Sequence, residues 1–269
     1  VDARVAPQVL VLAGRRASER SVDLGAPSKA LVEIDGVPML ERVLACLLPV
    51  AGDRPVFVSA GDAGLLDATP ALREWAAAGR LRHHPSAGSP AASVHDFLSR
   101  TAGGGPTFVT TADHPLLTTE MVRHFLDAAE ATGADVAVAV VEASRFRARF
   151  PHVRRTFVPL RGDAVTGANL FLFRTRGAAS VAHFWLRAEA VRKKPWKLVA
   201  LFGPVALARF AVRRLDLEEA VARVSSTIGV RVAVVRMPFA ECAIDVDSAA
   251  DLEVASRLLA ARRAGAPPR

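Results

Sequence analysis

Two runs of this chain are apolar without alternation: Gln8–Leu12, apolar from Val9 onward, and Asp135–Val141, a string of Val and Ala. Successive side chains of a β-strand point to opposite faces, so a strand apolar on both faces must be covered on both. Between such runs the spacing becomes helical. Pro38–Leu48 carries Met39, Val43 and Leu47 on one face, with proline at its start. Pro55–Ser59 reads as a strand, Leu65–Ala78 and Ser93–Ser99 as helices, and Thr107–Thr110 as a third strong strand. Thr118 caps the helix that follows, with Glu120 and Met121 in its first turn. This alternation predicts an α/β fold, a Rossmann-like three-layer α/β/α sandwich around a mostly parallel central sheet.

The second half is less regular. Thr156–Leu160 and Ala168–Phe173 read as strands around the turn Arg161-Gly162-Asp163. Ala178–Ile228 shows no strand and predicts three consecutive helices, a helical insertion near residues 178–228. Val230–Arg236 returns to strand, Ala243–Val246 is short and apolar, and Ser248–Arg263 is a terminal helix capped by Ser248. The tail Ala264–Arg269 is expected to fray. With no repeat and no clear linker, residues 1–269 read as a single domain.

Half of the 269 residues are apolar, enough for a sizeable core. The net charge of +8 rests on 31 Arg and only 4 Lys, which favours phosphate-bearing partners. No basic stripe is interleaved with aromatics, so nothing points to nucleic acid. Cys46 and Cys242 cannot form a disulfide framework or a zinc site, and their apolar contexts make them small core residues. The longest apolar stretch, Leu198–Ala208, is broken by Gly203 and Pro204 and is too short to span a bilayer. With no secretory pattern at the start, a cytoplasmic location is expected. Residues 185–214 mix bulky apolar and basic side chains, as in Trp185-Leu186-Arg187, Arg192–Lys197 and Arg213-Arg214. Such a segment is core on one side and solvated on the other, or it makes peripheral contact with an anionic membrane.

Chemistry concentrates where strands stop. After Leu12-Ala13-Gly14 comes a polar loop with Arg15, Arg16 and Arg20, running to Lys29. A glycine corner turns backbone amides toward a ligand, and guanidinium and ammonium groups suit polyphosphate, although a solvated basic loop has the same composition. Asp113, between a β run and Pro115, should project from the carboxyl end of a parallel strand, where ligands collect in open α/β sheets. A hard oxygen there suits Mg²⁺, and a plain helix cap is the alternative. Asp245-Val246-Asp247, ahead of Ser248, is either a second carboxylate source or a cap, and Asp251 falls in the first turn of the helix.

Leu12-Ala13-Gly14, Lys29, Ile34-Asp35-Gly36-Val37-Pro38-Met39-Leu40 and Ala112-Asp113-His114-Pro115-Leu116-Leu117-Thr118 resemble the signatures of the MobA-like nucleotidyltransferases. That family has the GT-A type nucleotide-binding fold. The likeness covers residues 8–175 and 230–260; Arg15 replaces the family's second glycine, and the loop to Lys29 is longer. The resemblance implies transfer of a nucleoside monophosphate from an NTP to a phosphorylated small-molecule acceptor, with Mg²⁺ or Mn²⁺. It implies Lys29 and Asp113 as catalytic residues, Asp113 and Asp247 as metal ligands, and Asp245 as helper or substitute. Arg15, Arg16 or Arg20 would hold phosphate beside Leu12, Ala13 and Gly14. Ser89 and Ser93 fall where relatives read the base, although Ser93 is equally well an early helix residue. Asn169, in Gly167-Ala168-Asn169-Leu170-Phe171, falls at the acceptor pocket. His114 takes a variable position and is expected at the surface. A glycosyltransferase of the same fold, a non-catalytic nucleotide-binding protein and a membrane-associated module are the competing readings.

Overall fold

The computed structural model describes residues 6–14, 26, 28–101, 103–175, 177, 181–182, 184–186 and 203–265. Among these, seven strands form one sheet in the order β5-β4-β1-β6-β8-β7-β9. They are β1 (Gln8–Leu12), β4 (Val56–Ala60), β5 (Leu81–Pro85), β6 (Thr107–Thr111), β7 (Val136–Glu142), β8 (Val165–Phe173) and β9 (Val232–Arg236). β2 (Glu33–Ile34) and β3 (Val37–Pro38) make a separate small hairpin. β1 pairs in parallel with β4 and β6, β4 with β5, and β7 with β9; only β8 runs against its neighbours, β6 and β7. The sandwich inferred from the sequence is therefore present, with one reversed strand inside the sheet.

Alternation along β1 produces the layers. Val9 and Val11 join the larger core with α1 (Met39–Ala51), α4 (Thr119–Thr132) and α8 (Ala249–Arg263). Leu10 and Leu12 face the other way, onto Val94 and Phe97 of α3 (Pro90–Arg100) and onto Ala182. All four are buried. Full burial of a Val or Leu side chain is worth about 1.5–3 kcal/mol each, so this short strand anchors both faces.

Several elements differ from the sequence expectation. Leu65–Ala78 splits into a 3₁₀ turn, Ala63–Asp67, and α2 (Pro70–Ala77), because Thr69 caps a new helix with Pro70 in its first turn. α3 begins at Pro90 under a Ser89 cap, ahead of Ser93. Thr156–Leu160 makes only the isolated bridge Val158–Val165; Pro159 has no N–H to give a ladder, and the segment is mostly exposed. Ala243–Val246 is not a strand: a 3₁₀ turn, Ala240–Ala243, leads into extended backbone. β5 and α5 (Ala143–Arg149) have no counterpart in the sequence reading. In the stretch expected as three helices, residues 181–182 and 184–186 are helical, followed by α6 (Pro204–Ala211) and α7 (Leu217–Ile228); residues 187–202 lie outside the described residues. Val205 and Val212 at α6 are exposed. No helix among the described residues is long and apolar enough to cross a membrane.

Candidate active site

β1 and β6 lie side by side and in register, so the segments leaving their carboxyl ends meet. The Ala112 N–H donates to the Leu12 carbonyl (3.0 Å), and the Ala13 N–H to the Ser59 carbonyl at the end of β4 (2.8 Å). Gly14 follows at a spot with no room for a side chain: a Cβ there would lie 2.9 Å from Cβ of Ser86. Ser86 belongs to the loop between β5 and α3, and its N–H donates to the Ala60 carbonyl (2.9 Å). The glycine corner and the Ser86–Ser89 loop are thereby packed as one wall. Ser89 caps α3 by accepting from the Ala92 N–H (3.2 Å). Ser93 is buried; its hydroxyl accepts from the Ala87 N–H (2.9 Å) and donates to the Ser89 carbonyl (3.1 Å). Both serine side chains are thus used in shaping the loop. Arg15, Arg16 and Arg20 lie outside the described residues.

Lys29 opens a 3₁₀ turn, Lys29–Leu31, and its ammonium reaches the end of β6. It donates to Asp113 Oδ2 at 2.6 Å and also to Asp247 Oδ1. Asp247 arrives from the far end of the chain because the Val246 N–H donates to the Asp113 carbonyl (2.9 Å). The start of α8 then fixes it: Ser248 accepts from the Asp251 N–H, and the Asp251 carboxylate accepts from Ser248 Oγ (2.6 Å) and the Asp247 N–H (3.2 Å). Asp251 is a capping-box residue, in keeping with its expected place in the first turn.

Burial alone would raise the Asp113 carboxyl and lower the Lys29 ammonium. Their mutual attraction and hydrogen bond outweigh this in both: Asp113 titrates below the ordinary carboxylate value, Lys29 above the ordinary ammonium value. Asp245 completes the group. Asn169 Nδ2 donates to Asp245 Oδ2 (3.2 Å), and the Arg155 guanidinium forms an ion pair with Oδ1. Asn169 sits on β8 in the left-handed region (φ 52°), beside an irregularity in the β7–β8 pairing. Arg155, on the segment between α5 and β8, is absent from the sequence reading. No sequence signal pointed to it; its role rests on the largely shielded Asp245 having a charged partner.

Oxygens of Asp113, Asp245 and Asp247 lie within 4.8 Å of one another. Asp113 Oδ1 is buried and has no hydrogen-bond partner. An unsatisfied carboxylate oxygen among hard oxygen donors fits a divalent cation such as Mg²⁺. A small cleft of about 60 Å³ opens beside them, lined by Leu12, Gly14, Lys29, Pro90, Thr111 and Asp113 among others. A larger hollow of about 520 Å³ lies elsewhere, lined by Pro7, Pro49, Pro106, Leu126 and Leu172, and touches none of these residues.

His114 corrects the sequence reading: it is 1% exposed. The turn closed by the Leu117 N–H on the His114 carbonyl carries the ring inward. There burial lowers its pKa, against the pull of the Asp245 and Asp113 carboxylates, so the ring is neutral near pH 7.

The chain matches the MobA-like NTP transferase domain over residues 9–193. It is similar to a hypothetical transferase from Thermus thermophilus, with 31% identity over 91% of this chain and 99% of that one, at a TM-score of 0.73. A synthetase of CMP:2-keto-3-deoxy-manno-octonic acid, solved with CTP, shares the fold at 17% identity and a TM-score of 0.56, over 95% and 99% of the two chains. So does 2-C-methyl-D-erythritol 4-phosphate cytidylyltransferase, also from Thermus thermophilus, at 18% identity and a TM-score of 0.51, over 94% and 98%. No curated protein matches the chain.

Proposed function

Because the chain belongs to the MobA-like NTP transferase family, we propose that it transfers a nucleoside monophosphate from an NTP to a phosphorylated small-molecule acceptor and releases pyrophosphate. One observation carries the reading. Asp113 and Asp247, far apart in the chain, converge at the end of β6 on the ammonium of Lys29, from the segment that follows β1. Carboxylates for a cation and a lysine for phosphate oxygens thus share one small space.

Asp113 and Asp247 would hold Mg²⁺ or Mn²⁺. The cation's contribution when bound is to neutralise charge on the α-phosphate and align it with the acceptor oxygen. Lys29 binds the phosphates as a compact charge, and one of Arg15, Arg16 and Arg20 supplies a planar partner to them. The Gly14–Ser86 wall seats the nucleoside, with Ser89 and Ser93 holding the shape of its loop. Asn169 orients the acceptor side through Asp245. An acceptor phosphate oxygen forms the new bond to the α-phosphorus; the bond to the bridging oxygen breaks, and pyrophosphate departs with its electron pair. An ionised acceptor phosphate needs no protein base, so positioning and charge stabilisation carry the reaction.

The test presents each of the four NTPs, with Mg²⁺, to a panel of sugar and polyol phosphates and measures pyrophosphate. The expected result is pyrophosphate equal to acceptor consumed, lost in Asp113→Ala and Asp247→Ala. Release of a nucleoside diphosphate from a nucleotide sugar instead would replace this reading with glycosyl transfer.

A further inference from the structure

Three carboxylates crowd the end of β6, but they are not equivalent. Asp245 accepts a hydrogen bond from Asn169 on Oδ2 and is ion-paired through Oδ1 with the Arg155 guanidinium. The Arg155 and Asp245 side chains are only 18% and 14% exposed, so this is a shielded ion pair. Oδ1 of Asp113 and Oδ1 of Asp245 are both buried without a hydrogen-bond partner, but only that of Asp245 is ion-paired with a guanidinium, and Asp247 is 58% exposed. Resting on the proposed cation site, we infer that Arg155 is a positioning residue that withholds Asp245 from the cation. It leaves a seat of two carboxylates, Asp113 and Asp247.

The consequence is selectivity. Mg²⁺ keeps several waters and is held by about one or two carboxylates together with substrate phosphates, whereas Ca²⁺ takes about six to eight oxygens. A third free carboxylate within 4.8 Å of the other two would build a more complete oxygen cage. Such a cage favours Ca²⁺ and binds a cation without nucleotide. With Asp245 tied to a guanidinium, the seat is less complete: it holds a bare cation weakly, and substrate phosphates tighten it. Asn169 strengthens the arrangement by holding the second oxygen from a bulged position of β8. The local charges agree: two cations, Lys29 and Arg155, lie among three carboxylates.

The test uses the full chain with bare cations, Mn²⁺ read by electron paramagnetic resonance and Ca²⁺ by displacement of Mn²⁺. Lys29 competes equally in every variant that retains it. Asp113→Asn is expected to weaken Mn²⁺ binding by about tenfold or more, as loss of a true ligand does. Arg155→Gln frees Asp245 and should raise the Ca²⁺-to-Mn²⁺ affinity ratio about fivefold or more, beyond the general gain in attraction that both cations share. Arg155→Lys should restore the wild-type ratio, and the double variant Arg155→Gln/Asp245→Asn should return to wild-type Mn²⁺ affinity within about twofold. The inference is overturned if the double variant loses Mn²⁺ as Asp113→Asn does, since Asp245 is then a ligand. It is also overturned if Arg155→Gln leaves the ratio unchanged while its melting curve shows a folded protein. Either result leaves Asp113 and Asp247 standing as cation ligands. Absence of Mn²⁺ binding to the wild type would remove that site and this inference together.

Discussion

Replacing Lys29 by Met removes the ammonium shared by Asp113 and Asp247. Breaking a fully buried pair by deleting one partner costs about 3–5 kcal/mol. Here the Asp113 side chain is 21% exposed and Asp247 58%, so water and salt screen much of the loss, and the expected cost falls to about 2 kcal/mol. For a chain of this size that is a fall in Tm of about 4–8 °C at pH 7.5. The pH dependence identifies the cause. In the wild type the ammonium holds the Asp113 carboxyl below its ordinary range, so its stabilisation is intact above about pH 4 and is lost only as pH falls through that lowered value. In Lys29→Met, burial acts on Asp113 against only the smaller pull of the Thr111 hydroxyl and His114, and raises its pKa. The variant therefore takes up a proton on Asp113 as pH falls from 7 toward 5, and the gap to wild type narrows. The assay is paired urea denaturation of wild type and variant across that range. A gap that stays constant from pH 7 to 5, or no gap at pH 7.5, would refute the reasoning.

Gly14→Ala puts a Cβ 2.9 Å from Ser86 Cβ and should cost about 1–3 kcal/mol, with recovery in Gly14→Ala/Ser86→Gly, read as Tm. Burial pushes both thiols, Cys46 and Cys242, up to about 12, so the native protein at pH 8 should resist a disulfide-exchange reagent and yield both thiols only after denaturation. Burial also depresses the pKa of His84, despite Asp96 nearby, so the unfolded chain binds the proton more readily. Stability should then fall as pH drops below about 6.5, with a shallower slope in His84→Leu; equal slopes would contradict it.

The parts of the fold visible in the sequence are those in which local pattern and tertiary burial agree. β1 and β7 are apolar on both faces because helices cover both, and Thr118 and Ser248 cap helices where short polar side chains satisfy free N–H groups. β5 was invisible for a physical reason: this strand reads Leu-Arg-His-His-Pro and, among the described residues, pairs only with β4, so its pattern carries little apolar signal. α5 buries only Ala143 and Phe146, too few to set a period. Pro159 removes a ladder donor from a segment whose Thr, Phe and Val otherwise suggested a strand.

At the site, Lys29, Asp113 and the Leu12–Gly14 corner are local features and could be read from strand ends. The approach of Asp247 to Asp113 depends on one long-range backbone bond, from Val246, and only the family resemblance hinted at it. Arg155 was hidden because arginine is abundant in this chain, and no spacing rule links it to the distant Asp245. His114 was misplaced because the family signature leaves its position variable, whereas the turn after Asp113 directs the ring into the core.

If Asp113 and Asp247 serve an NTP–cation complex beside Lys29, nucleotide binding must depend on both the cation and Asp113. The most direct measurement is differential scanning fluorimetry of wild type and Asp113→Ala with each of the four NTPs, with and without Mg²⁺. An NTP should raise the wild-type Tm by several degrees only when Mg²⁺ is present, and Asp113→Ala should abolish the shift. Stabilisation by no NTP, or an undiminished shift in Asp113→Ala, would contradict that role.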